Sequence, residues 1–227
     1  MKVLGITLAK GTSRGVPNKN LREIAGKPLI QWTAEQTRKS KKLNWHYTST
    51  DSADIFVALD RLDFPVVLRP PELALDDTPS LDVILYHLAQ EDRRPSKPRW
   101  DAVALIPCTT PLRTAEDIDG AIQMLENNPL ADSVIGVTEC IPIERVKKIV
   151  DGLIVDTYPE PQDGQRQNLE KCYTRSGIYV VRRDSLDKLF GHKTSLAYVL
   201  PRERAVNIDD PVDWVLAEAL LKEREGL

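Results

Sequence analysis

The sequence lacks several features that would place it in familiar broad classes. No stretch reaches the roughly 18 to 20 consecutive apolar residues that span a bilayer, and the opening "MKVLGITLAKG" has an apolar run of strand length rather than a signal-peptide core. A cytoplasmic protein without a membrane partner is expected. Cysteine is sparse: Cys108, Cys140 and Cys172 lie about thirty residues apart in a chain of 227, without the C-x-x-C pairing of a zinc site. Their odd count fits buried thiols in a reducing compartment rather than a disulfide framework. Excess charge of either sign is also missing. Lys and Arg number 31 against 34 Asp and Glu, a net charge of -3, so no overall positive field marks a nucleic-acid partner and any anion binding must be local. Repeats are absent, and the one biased stretch, "EDRRPSKPRW" at 91–100, reads as a surface loop.

What the chain does contain is alternation. Strand-length apolar runs "KVLGITL", "NWHYTST", "FPVVLRP", "DAVALIP" and "SVIGVTE" are separated by helical patterns such as "PLIQWTAEQTRKS", "SADIFVALDRL", "SLDVILYHLAQ" and "AEDIDGAIQMLENN". Strands that return after helices predict a three-layer α/β fold around a mostly parallel sheet, and ligands of such sheets bind at the carboxyl ends of the strands. After Glu139 the pattern changes to "RVKKIVDGLIVDTY", a hairpin turning at Asp151-Gly152, and then to the strand "YTRSGIYVVRR". Residues 140–172 are therefore expected to form a small lobe or subunit contact within a single domain spanning 1–227. The final "DDPVDWVLAEALLKEREGL" closes the chain as a helix capped by Asp209 or Asp210, with Pro211 in its first turn.

The segment "LAKGTSRGVPNKN", residues 8–20, follows the first strand and is neither helix nor strand in pattern. Gly11 and Gly15 could let main-chain N–H groups face inward as an anion nest, with Lys10, Arg14 and Lys19 adding charge. The spacing is neither a Walker A loop nor a G-x-G-x-x-G fingerprint. By itself it reads equally as a triphosphate cradle or a solvated basic turn.

Six motifs in order decide between these readings. "LAKGTSRGVPNKNLREIAGKPLI" resembles the opening signature of the cytidylyltransferases that activate nine-carbon acidic sugars, the CMP-N-acylneuraminate synthetases. "TSTDS" at 48–52, "RPPELALDDTPSLDV" at 69–83, "TTPLRTAEDIDGAI" at 109–122, "RQNL" with "YTRSGIYVVRR", and "VNIDDPVDW" extend that resemblance to near the C-terminus. The resemblance implies a Rossmann-like nucleotidyltransferase fold, a homodimer whose partner helps shape the sugar pocket, CTP and an acidic sugar as substrates, and Mg²⁺ or Mn²⁺ as cofactor. On the nucleotide side it implies Ala9, Lys10, Gly11, Ser13, Arg14, Lys19 and Asn20, with Arg69 and Ser80 toward cytosine or ribose. Asp209 and Asn207 fall at the metal-binding positions. Lys10, Lys19 and Asp209 are the expected catalytic set.

The resemblance places Thr109, Arg113, Arg166, Gln167 and Arg175 on the acceptor side, where arginine's planar fork suits a sugar carboxylate. Arg113, at the start of a helical segment, has the alternative role of ordering its loop through carboxylate contacts. Asp209 has the alternative role of a helix cap. None of the histidines, His46, His87 and His192, lies in a matched motif.

The chain departs from the family pattern at four positions. Lys10 replaces an arginine, Pro107-Cys108 replace Gln-Pro, and Asn207 replaces an aspartate. Losing the glutamine amide bears on the acceptor more than on the chemistry. N-acetylneuraminate, deaminated neuraminate, legionaminate and pseudaminate all remain candidates. The Kdo enzymes' Q-G-D-E-P loop is missing from "IPCTTPLR". Rival readings are a related nucleotidyltransferase with Kdo, a sugar phosphate or a phosphonate as acceptor or with another NTP, and a nucleotide-binding homologue without catalysis.

Overall fold

The computed structural model describes residues 1–13, 15–94, 99–157 and 169–227. Its centre is a seven-stranded sheet of β1 (Val3–Ala9), β4 (Trp45–Thr50), β5 (Val66–Leu68), β6 (Ala102–Leu105), β7 (Ser133–Glu139), β10 (Tyr173–Arg182) and β11 (Ser195–Val199). Their spatial order is β11-β7-β10-β6-β1-β4-β5. The pairings β1–β4, β1–β6, β4–β5 and β7–β11 are parallel, while β10 runs antiparallel to both its neighbours. The sheet is thus mostly parallel, as the alternation predicts, with one reversed strand.

β1 and β6 are almost wholly buried, so their sequences read as unbroken apolar runs rather than as alternation. Their side chains nevertheless divide between two faces. Val3, Ala102, Ala104 and Ile106 pack with Ile118, Ile122 and Leu125 of α4 (Ala115–Asn127). Leu4, Ile6, Val103 and Leu105 pack on the other face with Ile84 and Leu88 of α3 (Ser80–Asp92). Helices α1 (Leu29–Lys39) and α2 (Ala53–Asp60) share a further cluster with Ala9 and Cys108. Trp32 of α1 meets Trp214 and Leu221 of α5 (Pro211–Glu225) in another. Helices on both faces give the expected three layers.

Local sequence sets the boundaries. Thr114 and Asp117 form a reciprocal capping box at the start of α4. At the start of α5 the box is built by Asp210 and Asp213, with Pro211 in the first turn. The cap is Asp210, which leaves the Asp209 carboxylate outside it. The hairpin forms as β8 (Lys147–Val150) and β9 (Leu153–Asp156) around Asp151 and Gly152, both at positive φ. It stands as a separate two-stranded sheet with every residue exposed.

Two features escape the sequence reading. β11 is a five-residue edge strand without a clear apolar pattern, and β2 (Glu23–Ile24) with β3 (Lys27–Pro28) is a two-residue ribbon. Among the described residues no helix is long and apolar enough to cross a membrane.

Two histidines serve the core. His46 Nε2 lies 3.0 Å from Thr7 Oγ1, whose own hydroxyl donates to Ile106 O, and Nδ1 lies 3.1 Å from Thr37 Oγ1. Burial, reinforced by the Arg113 charge, holds its pKa down at about 3. His87 is buried against Ser49 and is lowered to about 4 by burial and then by Arg69. Both remain neutral in the folded chain while the unfolded chain takes up protons near pH 6.5. Stability is therefore fully present above about pH 6.5 and falls below it, by up to roughly 1.4 kcal/mol per pH unit for each histidine. Urea unfolding between pH 7 and pH 4 should show this slope, and His46→Gln should flatten it. An unchanged slope in that variant would exclude His46 as its source.

Candidate active site

The loops that carry the sequence motifs leave the carboxyl ends of β1, β4, β5 and β6, and those after β1 and β6 meet the segment that leads into α5. Ile208 is fully buried among α1 and α5 residues. Its N–H donates to Thr109 O at 2.8 Å, and its carbonyl accepts from Lys19 Nζ at 2.5 Å. The residues on either side point the other way, as expected of an extended segment. Thr109 Oγ1 donates to Asn207 Oδ1, Asn207 Nδ2 donates to Asp209 Oδ2, each at 2.5 Å, and Lys19 Nζ is 4.0 Å from Asp209 Oδ1. Lys19, Thr109, Asn207 and Asp209 thus form one polar cluster.

Asp209 is exposed, and its main-chain N–H is already satisfied by the Asp213 carboxylate. Gly15 completes the arrangement from the other side. A Cβ there would lie 1.8 Å from Asp209 O, so the basic loop can approach this segment only with a glycine at that position.

A second group surrounds Asp51. Its Oδ1 accepts from the Gly11 N–H at 3.1 Å and from Arg69 Nη2 at 3.0 Å. Arg69 is buried, and its Nε is left without a partner. Gly11 also passes close to Ser52, whose Cβ would be 2.8 Å from an added Cβ. In this structure the two glycines supply room for close approach, and the Gly11 N–H is engaged by Asp51 rather than turned to an open nest.

Lys10 reaches away from its own loop to Leu75 O at 3.0 Å and Asp76 Oδ1 at 2.9 Å, tying down the segment before α3. Ala9 is buried in β1. Ser13 is half-buried in the loop, and Ser80 is half-buried at the first turn of α3.

The remaining candidates separate. Arg113 is 0% exposed. It donates to Pro107 O, Gly177 O and Thr33 Oγ1, so it orders its loop through carbonyls and a hydroxyl rather than through the expected carboxylates, and it is not open to a substrate. Arg175 extends from β10 to Phe190, donating to its carbonyl at 3.1 Å with its guanidinium beside the ring, and does not join the Lys19–Asp209 cluster. Arg14, Arg166 and Gln167 lie outside the described residues.

Two contributors were not among the expected site residues. Asp51 sat inside the "TSTDS" motif, so its signal was present. Cys108, read as a buried thiol, is 3.0 Å from Asn20 Oδ1, a contact that no spacing in the sequence announces.

A cleft of about 560 Å³ opens beside Asn207. Thr138 and Glu139 at the end of β7, Arg202, and Leu216 and Leu220 of α5 line it. Among the described residues no group of three or more His, Cys, Asp or Glu could enclose a metal. The donors present are the Asp209 carboxylate, Asn207 Oδ1 and the Thr109 hydroxyl. Hard oxygens with a single carboxylate suit Mg²⁺ when substrate phosphates complete its shell.

Removing the Arg113 side chain would leave buried carbonyls without donors. Arg113→Leu is therefore expected to destabilise the fold by about 2–5 kcal/mol, measured by urea unfolding. Native stability in that variant would contradict the loop-ordering role.

Comparisons with known proteins bear on the fold and the family. The chain is 28% identical to post-translational flagellin modification protein B of Campylobacter coli, over 98% of this chain and 96% of that protein. It is 30% identical to the N-acylneuraminate cytidylyltransferase of Oncorhynchus mykiss over 95% of this chain but 49% of that protein, so it spans about half the length of that relative. A solved CMP-2-keto-3-deoxy-manno-octonic acid synthetase complexed with CTP has the same fold, with a TM-score of 0.74 at 16% identity over 99% of this chain and 100% of that one. The cytidylyltransferase family model matches residues 4–194, most of the sheet and all of the loops that reach the site from β1, β4, β5 and β6, and the chain belongs to the cytidylyltransferase family.

Proposed function

We propose that the chain transfers the cytidylyl group of CTP to the anomeric hydroxyl of an acidic nonulosonic sugar, giving the CMP-sugar and pyrophosphate. The observation that carries this reading is the convergence of Lys19, Thr109, Asn207 and Asp209 on the Gly15 side of the basic loop. The names of the relatives supply the acceptor class.

In the reaction the sugar oxygen attacks the α-phosphorus, the bond to the pyrophosphate oxygen breaks, and the hydroxyl proton passes to solvent water. A poor nucleophile must approach a polyanion in line, so positioning and charge neutralisation dominate. Lys19, held by the Ile208 carbonyl, is placed to offset charge on the triphosphate. Lys10 adds a second cation when it exchanges Asp76 for phosphate. The partnerless Nε of buried Arg69 suits an acceptor atom of the nucleoside. Asp209, with Asn207 and Thr109 behind it, would hold Mg²⁺ or Mn²⁺, which when bound supplies Lewis-acid stabilisation of the phosphate charge. The acceptor is assigned to the cleft beside Asn207, where Arg202 stands among Glu139, Glu203 and Asp213 as the cation of the lining that could meet a sugar carboxylate. Arg166 and Gln167 are further candidates from the sequence.

Homodimerisation belongs to the same proposal. Ile149, Leu153 and Ile154 of the hairpin are 79%, 70% and 77% exposed, more apolar surface than an isolated two-stranded ribbon sustains in water. A second copy would cover it. The free thiols Cys108, Cys140 and Cys172 suit a reducing cytoplasm.

Pyrophosphate release with CTP and Mg²⁺ across N-acetylneuraminate, deaminated neuraminate, legionaminate, pseudaminate and Kdo tests the function, with turnover expected for a nine-carbon acid. Silence across the panel would reject the reaction. Asp209→Ala should lower kcat by roughly 10²-fold or more with an unchanged melting temperature, whereas Asp210→Ala should cost about 1 kcal/mol of stability through the lost cap and leave kcat nearly intact. Equal effects on kcat would remove the special role of Asp209. For the assembly, sedimentation should show a dimer that Ile149→Asp with Ile154→Asp converts to monomer, and a monomeric parent chain would refute it.

A further inference from the structure

Cys108 is 3% exposed, at the mouth of the loop that follows β6, and shares a packing cluster with Ala9, Ile30 and Ile55. Its Sγ lies 3.0 Å from Oδ1 of Asn20, itself only 7% exposed. The other end of that amide is also engaged, because Asn20 Nδ2 donates to the Lys10 carbonyl at 2.8 Å. The Asn20 main chain is fixed in turn by the Ile30 N–H, which donates to its carbonyl at 3.0 Å. A carboxamide presents one acceptor and one donor end, so a thiol donating to Oδ1 dictates that the NH₂ faces Lys10. The chain thus runs from the β6 loop, through one buried amide, to the main chain at the turn of the basic loop.

We propose that Cys108 is a positioning residue for nucleotide binding: its thiol sets the orientation of the Asn20 amide and, through the Lys10 carbonyl, the path of the Lys10–Gly11 turn. The inference rests on the reading of this loop as the CTP site. Burial pushes the thiol pKa up, so the group stays protonated and keeps its donor. A thiolate would place a negative charge against Oδ1 and reverse the contact.

The test is CTP affinity by calorimetric titration, together with KM for CTP, KM for the acceptor, kcat and melting temperature, for the parent chain, Cys108→Ala, Cys108→Ser, Asn20→Ala and the double alanine variant. Cys108→Ala leaves a buried acceptor without its donor, and the expected result is a rise in Kd and KM for CTP of roughly five- to thirty-fold, with kcat and the acceptor KM within about twofold of the parent. Serine keeps an O–H donor at the same place and should restore CTP affinity to within about threefold of the parent. In the double-mutant cycle the two alanine effects should be strongly non-additive, since both break the same chain of bonds. Unchanged CTP binding in Cys108→Ala would overturn the inference. So would a folded Cys108→Ser variant as impaired as the alanine one, or additive effects in the cycle. A parent chain that fails to bind CTP would instead reject the underlying reading of the loop, a different result from a parent that binds and a variant that binds equally well.

Discussion

The main chain of Ile208 is the tie on which the site depends. One buried residue uses its N–H on the loop after β6 and its carbonyl on Lys19 of the loop after β1, while its side chain is sunk between α1 and α5. Because neighbours along an extended segment point to opposite sides, burying Ile208 turns Asn207 and Asp209 outward together. The apolar core thus sets the orientation of the polar cluster. Gly15 closes against the same segment because no side chain intervenes.

Around this tie the charges divide into two kinds. Arg113 and Arg69 are buried, Arg113 donating mainly to carbonyls and Arg69 to Asp51. They hold loops. Lys10 and Asp209 are engaged more lightly, through contacts that leave at least part of the side chain accessible. Water and ligands can compete for such contacts, and their exchange is inexpensive. A site for a polyanion in a chain of net negative charge needs this division, because a rigid scaffold of arginines must survive while the mobile cations change partners.

Much of the molecule was legible before any coordinates. Strand–helix alternation gave the layers and the parallel sheet, because buried parallel strands are apolar throughout and amphipathic helices must cover them. Asp151-Gly152 announced the hairpin through its demand for positive φ. The edge strand β11 was hidden because five half-exposed residues carry little pattern. The reversal of β10 was hidden because direction depends on which neighbours a strand finds, not on its composition.

The sequence by itself determined the fold class, the order of the motifs and the presence of the basic loop, since these follow from local propensity and from side chains whose meaning travels with their spacing. Only the tertiary structure decided which of two adjacent aspartates caps α5, that Arg113 faces carbonyls in the interior, and that the Cys108 thiol meets the Asn20 amide. Those outcomes join residues as many as 88 positions apart. They depend on packing that brings distant loops within hydrogen-bond reach, and nothing local to either residue encodes that distance.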